Sequence, residues 1–168
     1  RSANGLLIAH HAGKRTDATC AQFTFLVFSR LQMPQPPAQI SITTDGNPQY
    51  LTALVKQGKE IDIDYGRVIK QHTANRLVAV IREKVLGNPT IASISTSVVE
   101  GYNNKIRQRV SRFVRKTASF SKTIAAHTRL LDLFQFVSNF IEAKEGMTPT
   151  MREGITDHVW TWREFLTY

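Results

Sequence analysis

Cysteine occurs once in the 168-residue sequence, at Cys20. A single thiol excludes an intrachain disulfide and argues against a cysteine-based zinc site, which suits a reducing cytoplasm. No apolar run is long enough to span a membrane, and no signal-peptide pattern is visible, so no membrane partner is expected. Low-complexity tracts are missing as well. A composition of 42% hydrophobic and 21% charged residues belongs to an ordinary globular protein. This length suits one domain with a substantial core, so 1–168 reads as a single domain with 145–168 as a C-terminal tail packed on it. The first residue is Arg1 rather than Met, as in a fragment or a processed product.

Acidic side chains are missing from one long stretch. From Gly101 to Leu131 there are eight basic residues (Lys105, Arg107, Arg109, Arg112, Arg115, Lys116, Lys122 and Arg129) and no Asp or Glu, in a chain whose formal net charge is +9. Charge this local points to an anionic partner. The plain alternative, a solvated face, usually carries both signs. On a helix at about 100° per residue, Val99, Tyr102, Ile106, Val110 and Phe113 form an apolar stripe that should face a core. Lys105, Arg109 and Arg112 flank it. Glu100, Asn103, Asn104 and Arg107 share a third face, where a lone carboxylate beside two amides and an Arg suits a metal and a phosphate. A second reading of Glu100 stands beside this one: Ser97-x-x-Glu100 is also a capping box.

The rest of the chain alternates strands and helices. Gly5 to Ala12 reads as a short buried strand between two glycines. His10 and His11 are adjacent, point to opposite sides of such a strand, and form no two-His metal pair. Thr16 or Asp17 can cap a helix over 18–31, with Ala21, Phe25 and Phe28 on its apolar face. Pro34, Pro36 and Pro37 end that helix and form a stiff connector. Residues 39–43 alternate like a strand and run into Asp45-Gly46-Asn47-Pro48, a strong turn signal. Asp45 reads either as an Asx-type turn residue or as a carboxylate just past a strand end, where open α/β sheets place ligands. A short helix over 50–57 follows, then a strand with Asp62 and Asp64 on a polar face. These two acids read as surface charge more readily than as a divalent site. Strand and helix are hard to separate over 76–86, and Gly87-Asn88-Pro89 is a turn. A second long helix over 120–143 is apolar round more than half its circumference. Trp160, Trp162 and Phe165 fold back from the tail, and His158 reads as a surface residue packed beside Trp160.

Several of these blocks together resemble one family. The run TSVVEGYNNKIRQRVSRFVRKTASFSK, from Thr96 to Lys122, resembles the end of the catalytic domain of bacterial insertion-sequence transposases of the DDE type. Thr43-Thr44-Asp45-Gly46 with Tyr50, Gly13-Lys14-Arg15-Thr16, and TPTMREGITDHVW from Thr148 to Trp160 match in order and spacing. The resemblance spans nearly the whole chain. It implies an α/β, ribonuclease-H-like domain lacking its first strand, with C-terminal helices. It also implies cleavage and joining of DNA phosphodiesters with two divalent metals, Mg2+ or Mn2+. Such hard cations take oxygen ligands, activate water or a 3′-hydroxyl, and stabilise the leaving oxygen. Carried over to this sequence, Asp45 and Glu100 are the second and third catalytic, metal-binding carboxylates. Asn103 and Arg107 support the site or the DNA, and Arg109, Arg112, Arg115 and Lys116 contact phosphates. The implied partners are transposon-end and target DNA and a second copy of the chain, in the bacterial cytoplasm with the nucleoid.

One departure weakens the catalytic expectation. The family's first Asp lies on a strand just before the segment matching Gly5 to Ala12, and that strand is absent. Asp17 falls after the strand and is a poor substitute. The chain alone is therefore expected to be inactive. The competing reading is a DNA-binding or oligomerising remnant without chemistry. An RNA-binding domain fits less well, because no aromatic-rich strand motif for base stacking is visible.

Overall fold

Thr16 starts the first helix as its residue type predicts. Its hydroxyl accepts from the Thr19 N–H at 3.3 Å, and helix α1 runs Asp17–Arg30. The structure, a computed structural model, describes residues 4–31, 39–57 and 62–168, with the side chain of residue 57 excepted. The expected proline connector at Pro34, Pro36 and Pro37 lies outside the described residues. The chain is mixed α/β and packs as two compact units, one of residues 13–101 and one combining 1–12 with 102–168.

In the unit of residues 13–101, β1 (Gln39–Asp45) leads through α2 (Gln49–Gln57) to β2 (Asp62–Thr73) and β3 (Arg76–Leu86). The sheet order is β1-β2-β3, with β1 parallel to β2 and β2 antiparallel to β3. The 76–86 segment is thus a strand. Ala74 and Asn75, both at positive φ, make the two-residue reversal that a right-twisted hairpin prefers. Leu54, Ile63 and Tyr65 are buried together, with Phe28, Ile42, Tyr50, Leu51 and Val85 packed around them. That core takes Phe28 of the α1 face the sequence suggests, but not Phe25. Cys20 and Thr24 are buried and Phe28 joins the cluster, whereas Phe25 is 66% exposed. Thr24 fits because its hydroxyl donates back to the carbonyls of Cys20 and Ala21, both at 3.0 Å.

The opposite sheet face is closed by Ile94, fully buried after a 3-10 turn at Ile91–Ser93. Its side chain lies where a Cβ on Gly66 would be, at 2.5 Å. Asp64 is not a surface charge but is 8% exposed. Its Oδ1 accepts from the Asn88 N–H at 2.6 Å and so holds the turn that ends β3. Gly87 makes room for it: φ is +64°, and a Cβ there would meet Asp64 Oδ1 at 2.3 Å. Helix α3 (Ser97–Arg109) begins in this unit and passes into the other at Gly101.

The second unit differs from expectation at its first segment. Residues 6–12 are not a strand. Leu7 bonds through both backbone groups to the side chain of Asn139, each at 2.9 Å, and Gln135 Nε2 donates to the carbonyls of Leu7 and Ile8. Side-chain amides supply the acceptor and donors that a neighbouring strand would otherwise give. His10 bonds Gln135 at 2.8 Å and faces Asp132 at 3.3 Å, and His11 is exposed.

Helix α3 stops at Arg109, where Val110 turns extended (φ −121°, ψ 101°). Of the expected stripe only Ile106 is buried, and Val99 is 59% exposed. The next helix also starts later than expected. Thr123 caps it, its hydroxyl accepting from the Ala126 N–H, and α4 runs Ile124–Phe136 into a wide π turn at Val137–Ile141. Short helices α5 (Pro149–Arg152) and α6 (Trp162–Thr167) follow. Trp160 donates its backbone N–H to the Phe140 carbonyl at 3.0 Å. Phe136, Phe140, Trp160 and Phe165 pack ring against ring, with centroids 4.1–5.7 Å apart. No helix among the described residues is long and apolar enough to cross a membrane.

Candidate functional site

Asp45 ends β1 in register with Val68 of β2. Its Oδ1 accepts from the Asn47 N–H at 3.3 Å, the Asx-type turn that its sequence context suggests. Its Oδ2 lies 3.6 Å from Arg15 Nη2, with both side chains mostly exposed. Cys20, Tyr50 and Tyr65 stand near this carboxylate. Burial raises the pKa of all three groups, and the charge of Asp45 adds to each shift. Tyr65 also shares a 2.8 Å hydrogen bond with Thr44.

Glu100 lies in the first turn of α3. The capping box does not form at Ser97, whose N–H donates to the Ser95 hydroxyl at 3.2 Å. Glu100 Oε1 instead accepts from Lys70 Nζ at 2.6 Å and from Thr96 Oγ1 at 2.5 Å. These two donors, Lys70 first, hold the Glu100 carboxyl below its ordinary pKa. Lys70 stands two residues beyond Val68, the register partner of Asp45. Strand spacing puts its Cα about 8 Å from that of Asp45. Lys70 therefore anchors Glu100 toward the end of the sheet where Asp45 sits.

Two carboxylates offer the hard oxygen donors that Mg2+ or Mn2+ requires. Each already has its own cation, however: Arg15 for Asp45 and Lys70 for Glu100. Among the described residues no three His, Cys, Asp or Glu side chains converge as a metal-binding group.

The basic run divides into two sets. Arg107, Arg112, Arg115 and Lys116 are exposed, as are Lys122 and Arg129. None of these six has an acidic partner among the described residues, whose ion pairs lie elsewhere. Lys105 and Arg109 are instead bound to the two carboxylate oxygens of Glu142. Asn103 is exposed on α3. Sequence reading missed Arg15, Lys70 and Glu142, the partners that decide which charges are engaged. Lys70 is 30 residues from Glu100, a separation at which no local pattern links the two. Comparison with protein-family models, with curated proteins and with solved structures finds no match to this chain.

Proposed function

We propose that this chain is part of a DDE-type transposase, a ribonuclease-H-like domain that handles DNA and does not cut it unaided. The observation that carries this reading is a set of six exposed cations from Arg107 to Arg129, none with an acidic partner among the described residues, in and beyond a helix whose first turn carries Glu100. A polyanion is the natural partner of such a surface, and the contacts are to phosphate rather than to bases. Lys70 keeps Glu100 oriented toward the strand end that bears Asp45. With a third carboxylate supplied, these two would hold divalent metal that activates a hydroxyl for phosphodiester exchange.

A second reading, a DNA-binding remnant without chemistry, is favoured by the cation already bound to each carboxylate. One experiment separates the two. Labelled duplex DNA is titrated with the chain, and Mg2+-dependent strand transfer is assayed with the chain and with a longer polypeptide in which a strand bearing a third carboxylate precedes Arg1. Salt-sensitive binding in both, with activity only in the longer form and lost in Asp45→Asn and Glu100→Gln, supports the transposase. Binding without activity in either form leaves the remnant. Absence of DNA binding refutes both.

A further inference from the structure

Lys105 and Arg109 lie four residues apart on α3, on one helix face. Two cations so placed repel each other, and Lys105 is half-buried besides. Its ammonium lies 5.3 Å from the centre of the Tyr102 ring and 6.0 Å from that of Phe134, and it donates to the buried Ser138 hydroxyl at 3.3 Å. Burial, with the charge of Arg109 added, lowers the Lys105 pKa. Glu142 relieves this strain. The π turn at Val137–Ile141 closes with the Glu142 N–H on the Val137 carbonyl at 2.9 Å. It delivers the Glu142 carboxylate to both cations, Oε2 to Lys105 and Oε1 to Arg109. The three side chains line a cavity of about 480 Å³ that Tyr102, Ser138 and Arg152 also border.

A carboxylate bridging two cations through separate oxygens has the donor requirement of a phosphodiester, which presents two non-bridging oxygens. We propose that Glu142 is a built-in competitor for nucleic-acid phosphate, occupying a two-cation phosphate site formed by Lys105 and Arg109 and keeping an ordinary duplex backbone out of it. The inference rests on the DNA-binding reading above and adds a regulation to it. The exposed cations Arg107, Arg112, Arg115 and Lys116 make first contact, and Lys105 and Arg109 are held in reserve. The latch weakens binding to any stray polyanion and is overcome only where phosphates are presented closely enough to replace the tethered carboxylate.

The test is fluorescence anisotropy of labelled duplex DNA with the full chain across a salt series. Glu142→Gln removes the competing charge and keeps the shape, so it should bind more tightly and with a steeper salt slope. Two added phosphate contacts steepen the slope by about 1.8, so the gain over the wild-type chain should be about tenfold larger at 50 mM than at 200 mM salt. The triple variant Glu142→Gln, Lys105→Met, Arg109→Met should return to wild-type affinity. Should Glu142→Gln fail to fold, as read by its thermal melt, the wild-type background still decides: Arg107→Gln should weaken binding and Arg109→Gln should not. Equal weakening by those two variants overturns the latch. So does unchanged affinity in a folded Glu142→Gln while Arg107→Gln weakens binding, and in that case the DNA-binding reading stands. If neither the wild-type chain nor Glu142→Gln binds DNA, both are overturned.

Discussion

Asn139 holds Leu7 by both of its backbone groups. The amide oxygen accepts from the Leu7 N–H and the amide nitrogen donates to the Leu7 carbonyl, each at 2.9 Å. Asn139 is buried, so removing its amide leaves the Leu7 N–H without a partner, at a cost of about 1–3 kcal/mol. Asn139→Ala should therefore lower the stability of this unit by about that amount in a denaturant titration. Amide exchange at Leu7 should accelerate with it. Unchanged exchange at Leu7 would mean that the Asn139 amide does not hold the segment.

Lys70 makes the acid limb of stability specific to one carboxylate. The Glu100 carboxyl is held below its ordinary pKa by Lys70 and then Thr96. A carboxyl with a depressed folded pKa adds stability that is present above the unfolded value, about 4.3. That stability is lost as pH falls through the folded value. Both side chains are more than a third exposed, so the contribution is small. Lys70→Met should raise the Glu100 pKa toward about 4.3 in an NMR titration. A Glu100 titration identical in the two proteins would remove Lys70 from this role.

Local chemistry was legible where it acts over a few residues. The Thr16 cap and the Asx turn at Asp45 were readable because each partner lies within four positions, and the turn at Gly87 because Gly-Asn-Pro is itself a turn signal. The mixed α/β character followed from alternating strand and helix patterns. What the sequence hid was long-range. Gly5 to Ala12 has a strand's composition, but Asn139 and Gln135 take its backbone bonds from more than 120 residues away. The α1 face was misjudged at Phe25 because Thr24 buries its hydroxyl by bonding its own helix, so a polar residue sits where hydrophobicity alone places that ring. Helix α3 ends at Arg109 although the apolar stripe continues to Phe113, because periodicity marks a face and not a terminus. In the basic run, charge was visible but engagement was not. Nothing near Lys105 or Arg109 in the sequence points to Glu142.

Gly66 and Ile94 define how closely the segment before α3 approaches the sheet. A Cβ on Gly66 would lie 2.5 Å from Ile94 Cγ1, and Ile94 is fully buried with no room to retreat. Gly66→Ala should destabilise this unit by about 1–3 kcal/mol through overpacking. Ile94→Val removes the δ methyl and should recover part of that loss, so the two changes together should cost less than their sum. Strict additivity in urea melts would show that the two residues do not meet.

His158 should respond to pH opposite in sense to Glu100. Its Nδ1 pairs with Asp157 at 2.7 Å and its Nε2 with Glu164 at 3.3 Å, while the ring lies parallel to Trp160 with centroids 6.1 Å apart. The Asp157 hydrogen bond, with Glu164 and the Asp157 charge behind it, raises the His158 pKa. A group whose folded pKa is raised contributes fully below its unfolded value, about 6.5. That contribution fades as pH climbs through the raised folded value, so the tail around α6 should loosen as pH rises above about 6.5. Glu164 also accepts from the Thr161 N–H at 2.6 Å, so it stays engaged after His158 loses its proton, when the neutral imidazole keeps one N–H for the two carboxylates. Asp157→Asn should bring the His158 titration, followed by its ring proton shifts, back toward about 6.5. A pKa near that value in the unmodified chain would mean that the Asp157 contact does not persist in solution.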